Sequence, residues 1–243
     1  MRSDNRAPDR LRPVAIQLDY LDHPAGSCLV TMGRTKVLCA VSVDNKVPPF
    51  LVGRGQGWLT AEYSLLPAST KDRTQREANT GRLTGRTQEI RRFIGRSLRP
   101  IFDLSLVGER TFIIDCDVIQ ADGGTRTAAV TGAYIALHRA VQKMMDNGSF
   151  RSFPILDFVA AVSAGMVAGE PMLDLDYEED HQAEVDLNLV MTGRGRVIEI
   201  GATAERIPLE RPDLARLIDL ASAGIKELIA LEMNLLGTGR TGV

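Results

Sequence analysis

Residues 112–145, FIIDCDVIQADGGTRTAAVTGAYIALHRAVQKMM, change their periodicity partway along. Phe112 to Gln120 is apolar and β-branched with partial alternation, the pattern of a strand. From Ala128 the apolar positions Val130, Ala133, Tyr134, Leu137, Val141 and Met144 recur at helical spacing. Between them lies Asp122-Gly123-Gly124-Thr125-Arg126-Thr127. A strand that passes through two glycines into a helix leaves backbone N–H groups unpaired at the helix's positive end, worth roughly half an elementary charge. An anion fits there. Arg126 adds a planar fork of donors suited to phosphate oxygens, and the hydroxyls of Thr125 and Thr127 can either cap the helix or bind the same ligand. On its own the segment also reads as a tight connection with a surface arginine, because it matches neither the Walker pattern nor GxGxxG.

A second helix start reinforces the first. Thr87 opens a run with Ile90, Phe93, Ile94 and Leu98 on one side and Arg91, Arg92, Arg96 and Arg99 elsewhere, ending at Pro100. Arg86, just after Gly85, therefore sits at the mouth of another helix N-terminus, and the two arginines can converge on one phosphate. The reading requires Arg86 and Arg126 to meet around one small oxyanion in an open cleft bordered by Asp180 and Asp186.

Charge is segregated along the chain. Lys71 to Arg99 holds nine basic residues against Asp72, Glu77 and Glu89, whereas Glu170 to Asp186 holds eight carboxylates and no Lys or Arg. One region suits anions and the other cations, although the net charge is only −2. Within the acidic run, oxygen ligands suit Mg²⁺, which takes one or two carboxylates and completes its shell with water and phosphate oxygens. Asp180 and Asp186 are a plausible pair, the bland alternative being a solvated acidic turn. His23, His138 and His181 have no assigned role. Cys28, Cys39 and Cys116 lie in apolar strand-like runs without CxxC spacing, which points to core packing and a reducing compartment.

The remaining elements follow in order. Residues 1–12 form either an ordered basic arm or a frayed tail. Gly26 to Val43 reads as a hairpin turning at Gly33-Arg34-Thr35, and Trp58 to Leu66 as a strand. Pro67 to Gly85 reads as a mobile surface loop. DNGSFRSFP at 146–154 resembles a linker between halves 1–147 and 155–243. Residues 155–166 are a buried strand or short helix, followed by a turn over 165–171. Glu184, Asp186 and Asn188 share one face of an alternating strand, TGRGR makes a hairpin turn, and 197–200 is the return strand. Residues 209–236 form a long amphipathic helix and GTGRTGV a loose end. An α+β architecture fits. No segment approaches the roughly 18 uninterrupted apolar residues of a membrane span, and the charged first residues have no apolar core of a signal peptide, so the sequence suggests a cytoplasmic protein.

These motifs, RSDNRAPDRLRPV, GRTQEIRRFIGRSLR, DCDVIQADGGTRTAAVTGAYIAL, GEPMLDLDYEEDHQAEVDLNLVMTG and GIKEL, resemble the RNase PH family of phosphorolytic 3′→5′ exoribonucleases over nearly the whole chain. The resemblance implies a ribosomal protein S5 domain 2-like fold, duplicated within a single unit spanning 1–243. It implies activity on tRNA precursors and other RNA 3′ ends in a homo-hexamer built as a trimer of dimers, with no DNA or membrane partner. Inorganic phosphate is then the co-substrate, held by Arg86, Gly124, Thr125 and Arg126. Asp180 and Asp186 bind Mg²⁺ or Mn²⁺, the catalytic set is Arg86, Arg126, Asp180 and Asp186, and Arg73 and Arg76 contact RNA. The family's Gln-Gly-Thr segment is replaced by Gly201-Ala202-Thr203, an expected change in local packing and RNA contact rather than in chemistry. A silent RNA-binding ring subunit would be expected to lack GGTR or the paired aspartates. A small-molecule kinase would need a triphosphate loop, which is not visible.

Overall fold

A computed structural model of the protein describes residue 2, residues 4–205 and residues 208–237. The first half holds strands β1 (Val14–Leu18), β2 (Gly26–Met32), β3 (Thr35–Asp44), β4 (Trp58–Leu65) and β5 (Thr111–Gln120), with helices α1 (Gly85–Leu98) and α2 (Thr125–Asp146). The second holds β6 (Val159–Val167), β7 (Glu170–Leu173), β8 (Val185–Thr192) and β9 (Val197–Ala204), with α3 (Tyr177–Gln182) and α4 (Arg211–Leu236). The strands form a five-stranded sheet in the order β1-β2-β3-β5-β4 and a four-stranded sheet in the order β7-β6-β8-β9. This is an α+β fold.

One pairing positions the site. β4 and β5 run parallel, which requires a crossover, and α1 supplies it. Each of these two strands is followed by a helix, so α1 and α2 both begin beyond the same edge of the sheet, where ligands of open α/β sheets bind.

α2 lies between the two sheets, packing on β2 and β3 on one side and β6 on the other. Ala128, Ala129, Ala133, Ala136 and Ala140 are fully buried, as a helix covered on both faces requires. The approach is close enough that a Cβ on Gly132 would lie 2.6 Å from the Cys39 sulfur. Cys28, Cys39 and Cys116 sit in register across β2, β3 and β5 as free, buried thiols. α4 covers the other face of the second sheet, so β8 is buried continuously from Leu187 to Thr192, although its first residues alternate.

Several boundaries differ from the periodicity. β1 was not apparent in five residues of VAIQL. α1 begins at Gly85 and α2 at Thr125, two and three residues earlier than the apolar spacing marks, because polar first turns carry no such spacing. Residues 155–166 resolve into an isolated bridge at Ile155 and strand β6, with β6 and β7 turning at 168–169. The return strand β9 runs on to Ala204. The loop after β4 contains a 3₁₀ turn at Glu77–Thr80, and Glu77 accepts hydrogen bonds from the hydroxyls of Thr84 (2.8 Å) and Thr87 (2.7 Å). The acidic run is no simple turn either: it forms α3, closed by a capping box between Asp176 and Glu179. The C-terminal segment lies outside the described residues beyond Gly237.

Arg2 and residues 4–12 form an ordered arm. Arg2 is buried and holds Glu179 through two bonds of 2.7 Å, and it also donates to the carbonyls of Leu173 (2.9 Å) and Asp174 (3.1 Å). The Pro8 carbonyl accepts from the Leu173 N–H at 2.7 Å, so the arm runs beside β7.

Candidate functional site

Gly123 and Gly124 both adopt the left-handed conformation, with φ of 73° and 63°. Space also demands glycine at these positions. A Cβ at Gly123 would lie 2.5 Å from the Leu175 carbonyl, and one at Gly124 2.9 Å from Arg12 Nη2. This turn launches α2 with Gly124 as its cap and no side-chain cap bond. The Thr127 hydroxyl donates back to the Gly124 carbonyl at 3.0 Å, and the Thr125 hydroxyl shares a 2.9 Å hydrogen bond with the Tyr63 hydroxyl. Neither threonine caps the helix. The first-turn amides are left facing outward with the partial positive charge of the helix end.

Arg126 extends from this turn to Glu89 on α1, 3.2 Å away. Arg86, in the first turn of α1 behind the Thr84 cap, makes no hydrogen bond or ion pair among the described residues. Both guanidiniums act on the same groups. Burial raises the Tyr63 hydroxyl's pKa while the charges of Arg86 and Arg126 oppose that rise. The same two charges oppose the rise at Asp180, an exposed residue of α3 whose carboxyl is lifted above the usual aspartate range by the protein packed to one side of it. The structure thus brings α1, α2 and α3 together at the edge that the parallel pair defines.

Asp186, on β8, completes the carboxylate pair. Burial first, and then the charge of Asp180, raises its pKa to about 6; Arg126 and Asn188 pull the other way. Asn188 Nδ2 donates to both Asp186 oxygens at 3.2 Å. Two hard oxygen donors that repel each other, within reach of the charges of Arg86 and Arg126, have the donor chemistry that suits a divalent cation of the Mg²⁺ type.

A cleft of about 820 Å³ opens on the outer side of Arg86. Tyr63, Arg76, Asp115 and Asp117 line it, beneath the loop spanning 74–84. Contrary to the expectation of a cleft bordered by Asp180 and Asp186, neither carboxylate lines this cleft, nor does Arg126; of the four residues only Arg86 does. Arg73 lies outside it and, like Arg76, is exposed.

The sequence reading missed Tyr63, Glu89, Asn188 and Glu205. Glu205 adds negative charge near both Asp180 and Asp186, and its N–H continues the β8–β9 ladder to Glu184 at 2.9 Å. Only Asn188 had a local signal, its alternation with Asp186. The Gly201-Ala202-Thr203 segment is nearer the chemistry than expected: Thr203 pairs with Asp186 and Gly201 with Asn188 across β8 and β9.

Comparison with known proteins adds a family context. Residues 10–142 match the model for domain 1 of the 3′ exoribonuclease family, and residues 157–224 match that for its domain 2. The chain is 54% identical over 237 residues to ribonuclease PH of Moorella thermoacetica, covering 98% of this chain and 95% of that protein. It is 52% identical over 238 residues to ribonuclease PH of Bacillus subtilis, covering 98% and 97%. Among solved structures it is similar to rice Rrp46, with a TM-score of 0.78 and 20% identity over 97% of this chain and 100% of that one. It is also similar to the Archaeoglobus fulgidus exosome with RNA bound to the active site, with a TM-score of 0.80 and 21% identity over 95% and 92%. At that identity the two structures speak for the fold.

Proposed function

This chain belongs to the 3′ exoribonuclease family, and we propose on that premise that it shortens tRNA precursors and other RNA from the 3′ end by phosphorolysis. It is a phosphate-dependent 3′→5′ exoribonuclease, a tRNA nucleotidyltransferase of the ribonuclease PH type. The observation that supports the chemistry best is the shared edge of β4 and β5, from which two helix N-termini and the charges of Arg86 and Arg126 act on the same surroundings.

Inorganic phosphate is the second substrate, bound by Arg86, Arg126, the Thr125 hydroxyl and the Gly124 amide. One of its oxygens attacks the phosphorus of the last phosphodiester. The P–O3′ bond breaks, the phosphate's proton ends on O3′, and the terminal nucleotide leaves as a nucleoside diphosphate. Positioning and charge neutralisation carry such a step, and no nucleophilic side chain is needed. Asp180 and Asp186 would hold Mg²⁺ or Mn²⁺, which when bound stabilises charge on the scissile phosphate and the leaving oxygen. Because a phosphoanhydride replaces a phosphodiester, the reverse reaction adds nucleotides when phosphate is scarce.

Arg73 and Arg76 contact RNA phosphates, which makes binding salt-sensitive and blind to sequence. We read residues 1–243 as one catalytic unit with halves 1–147 and 155–243, assembled in the cytoplasm as a hexamer of three dimers. No described helix is long and apolar enough to cross a membrane.

Incubation with 3′-extended tRNA, with and without phosphate, tests the reaction. Release of nucleoside diphosphates only when phosphate is present is the expected result. Monophosphates would mean hydrolysis, and no released nucleotide would mean a binding module.

A further inference from the structure

Arg12 is as deeply buried as the apolar core, with 3% of its surface exposed. Its guanidinium grips Asp174 with Nη2 at 2.7 Å and Nε at 3.1 Å, and its own N–H adds a third bond to the same carboxylate at 2.8 Å. The remaining donors turn to the anion loop: Nη1 to the Asp122 carbonyl and Nη2, at 3.5 Å, to the Gly123 carbonyl. The Thr35 hydroxyl donates to that same Gly123 carbonyl at 2.7 Å and accepts from the Asp122 N–H at 2.9 Å. The enclosure is tight. A Cβ on Gly33 would lie 2.6 Å from the Arg12 stem, and one on Gly124 would lie 2.9 Å from Nη2. Asp174 itself adopts a left-handed conformation, φ 53°, which a non-glycine residue holds only when its surroundings enforce it.

We propose that Arg12 is a positioning residue for phosphate: it clamps the Gly123-Gly124 loop to Asp174 of the second half and thereby sets the amides that bind the anion. The peptide unit between Gly123 and Gly124 carries the Gly123 carbonyl on one side and the Gly124 N–H on the other. Donors placed on that carbonyl polarise the unit and strengthen the N–H as a donor. The Asp122 carbonyl and Gly123 N–H are coupled in the same way. The Asp174 carboxylate, 2.7 Å away, offsets the charge of Arg12, so the clamp acts through the position and polarisation of the loop's peptide units and not through a net field. Arg12 makes none of the proposed phosphate contacts itself.

This inference rests on the phosphate site proposed above, so its test separates phosphate binding from turnover. Arg12→Lys keeps the charge but removes the fork, and Asp174→Asn leaves Arg12 in place with its anchor weakened. Titration calorimetry with inorganic phosphate should show weaker binding by about 10- to 100-fold in Arg12→Lys, with a smaller loss in Asp174→Asn. The KM for phosphate should rise in parallel while the KM for RNA stays within about threefold. Unchanged phosphate affinity in a folded Arg12→Lys protein overturns the proposal, as do equal losses toward phosphate and RNA that track the folded fraction. If Arg12→Lys does not fold, Asp174→Asn decides by the same readings. A wild-type protein that releases no diphosphate but shows the affinity loss on substitution would refute the activity and leave the clamp standing.

Discussion

Arg2 and Arg12 are buried beneath the second half, each closed onto a carboxylate, Glu179 and Asp174, and onto backbone carbonyls. Arg86 makes no such bond among the described residues, and Arg126 holds only Glu89, whose side chain is 42% exposed. The same side chain therefore does two jobs, distinguished by how completely its donors are used. Where all are satisfied, the arginine joins segments of the chain. Where they are left pointing outward at a helix N-terminus, it is poised for an anion that is not part of the protein. The two sets meet at one loop, Arg12 behind Gly124 and Arg126 in front of it.

Substitution should split these two classes cleanly. Arg126→Ala and Arg86→Ala should each lower phosphorolysis by about 10³-fold or more, with a melting temperature close to that of the parent. Calorimetry beside a diphosphate-release assay checks both halves of that statement, and retained activity in either variant would end its assignment to the site. Arg2→Met should do the reverse, because it removes two 2.7 Å bonds to the buried Glu179 carboxylate and leaves it only the Asp176 N–H at 3.0 Å and Arg6 at 3.7 Å. A loss of about 3–5 kcal/mol is expected, read by urea unfolding. A loss below 1 kcal/mol would mean that buried pairing is not what marks the arm.

The carboxylate pair sharpens the same contrast. Asp186→Asn should cut turnover on the order of 100-fold, partly restored by excess Mg²⁺. Its pKa is raised from 3.8 to about 6. That side chain therefore favours the folded state most when neutral, and this contribution disappears as pH climbs through about 6. The asparagine variant should consequently melt higher than the parent at pH 7 although it turns over more slowly. For the parent at limiting Mg²⁺, activity should fall as pH drops below about 6, because the metal requires the ionised form. A pH–rate profile identical in the two proteins would assign the metal elsewhere. The smallest effect belongs to the exposed loop: Arg73→Ala or Arg76→Ala should weaken RNA binding several-fold and reduce its logarithmic salt slope by about 0.7, measured by binding across a salt series. No change in slope would remove that arginine from the RNA path.

The turn into α2 was legible because its signals are local. The switch from strand to helix periodicity, two adjacent glycines and an arginine all lie within a few residues, and the left-handed turn at Gly123-Gly124 is what such a switch requires. The parallel pairing that brings Arg86 beside this turn was not legible, since 45 residues separate the end of β4 from the start of β5 and nothing in either segment names its neighbour. The arm was more opaque still. Arg2 and Glu179 are separated by 177 positions, and Arg12 and Asp174 by 162, so a basic tail and an acidic run read as two independent charged stretches. In the fold, Asp174, Asp176 and Glu179 serve the arm and the α3 cap, which leaves Asp180 to turn toward the arginines. Composition could not apportion those carboxylates, because successive residues of a helix point about 100° apart and only the fold says which direction faces the arm.

The direction of two neighbouring strands has an evolutionary corollary. Since β4 and β5 run the same way, both helices begin beyond the same ends of the strands, with Glu77 and Thr84 of the connecting segment fixing the start of α1. Beyond Ser69, whose carbonyl accepts from the Ala121 N–H at 2.8 Å, the exposed residues 71–75 can be recomposed without displacing Arg86, so the proposed RNA contacts can diverge while the helix starts stay where they are.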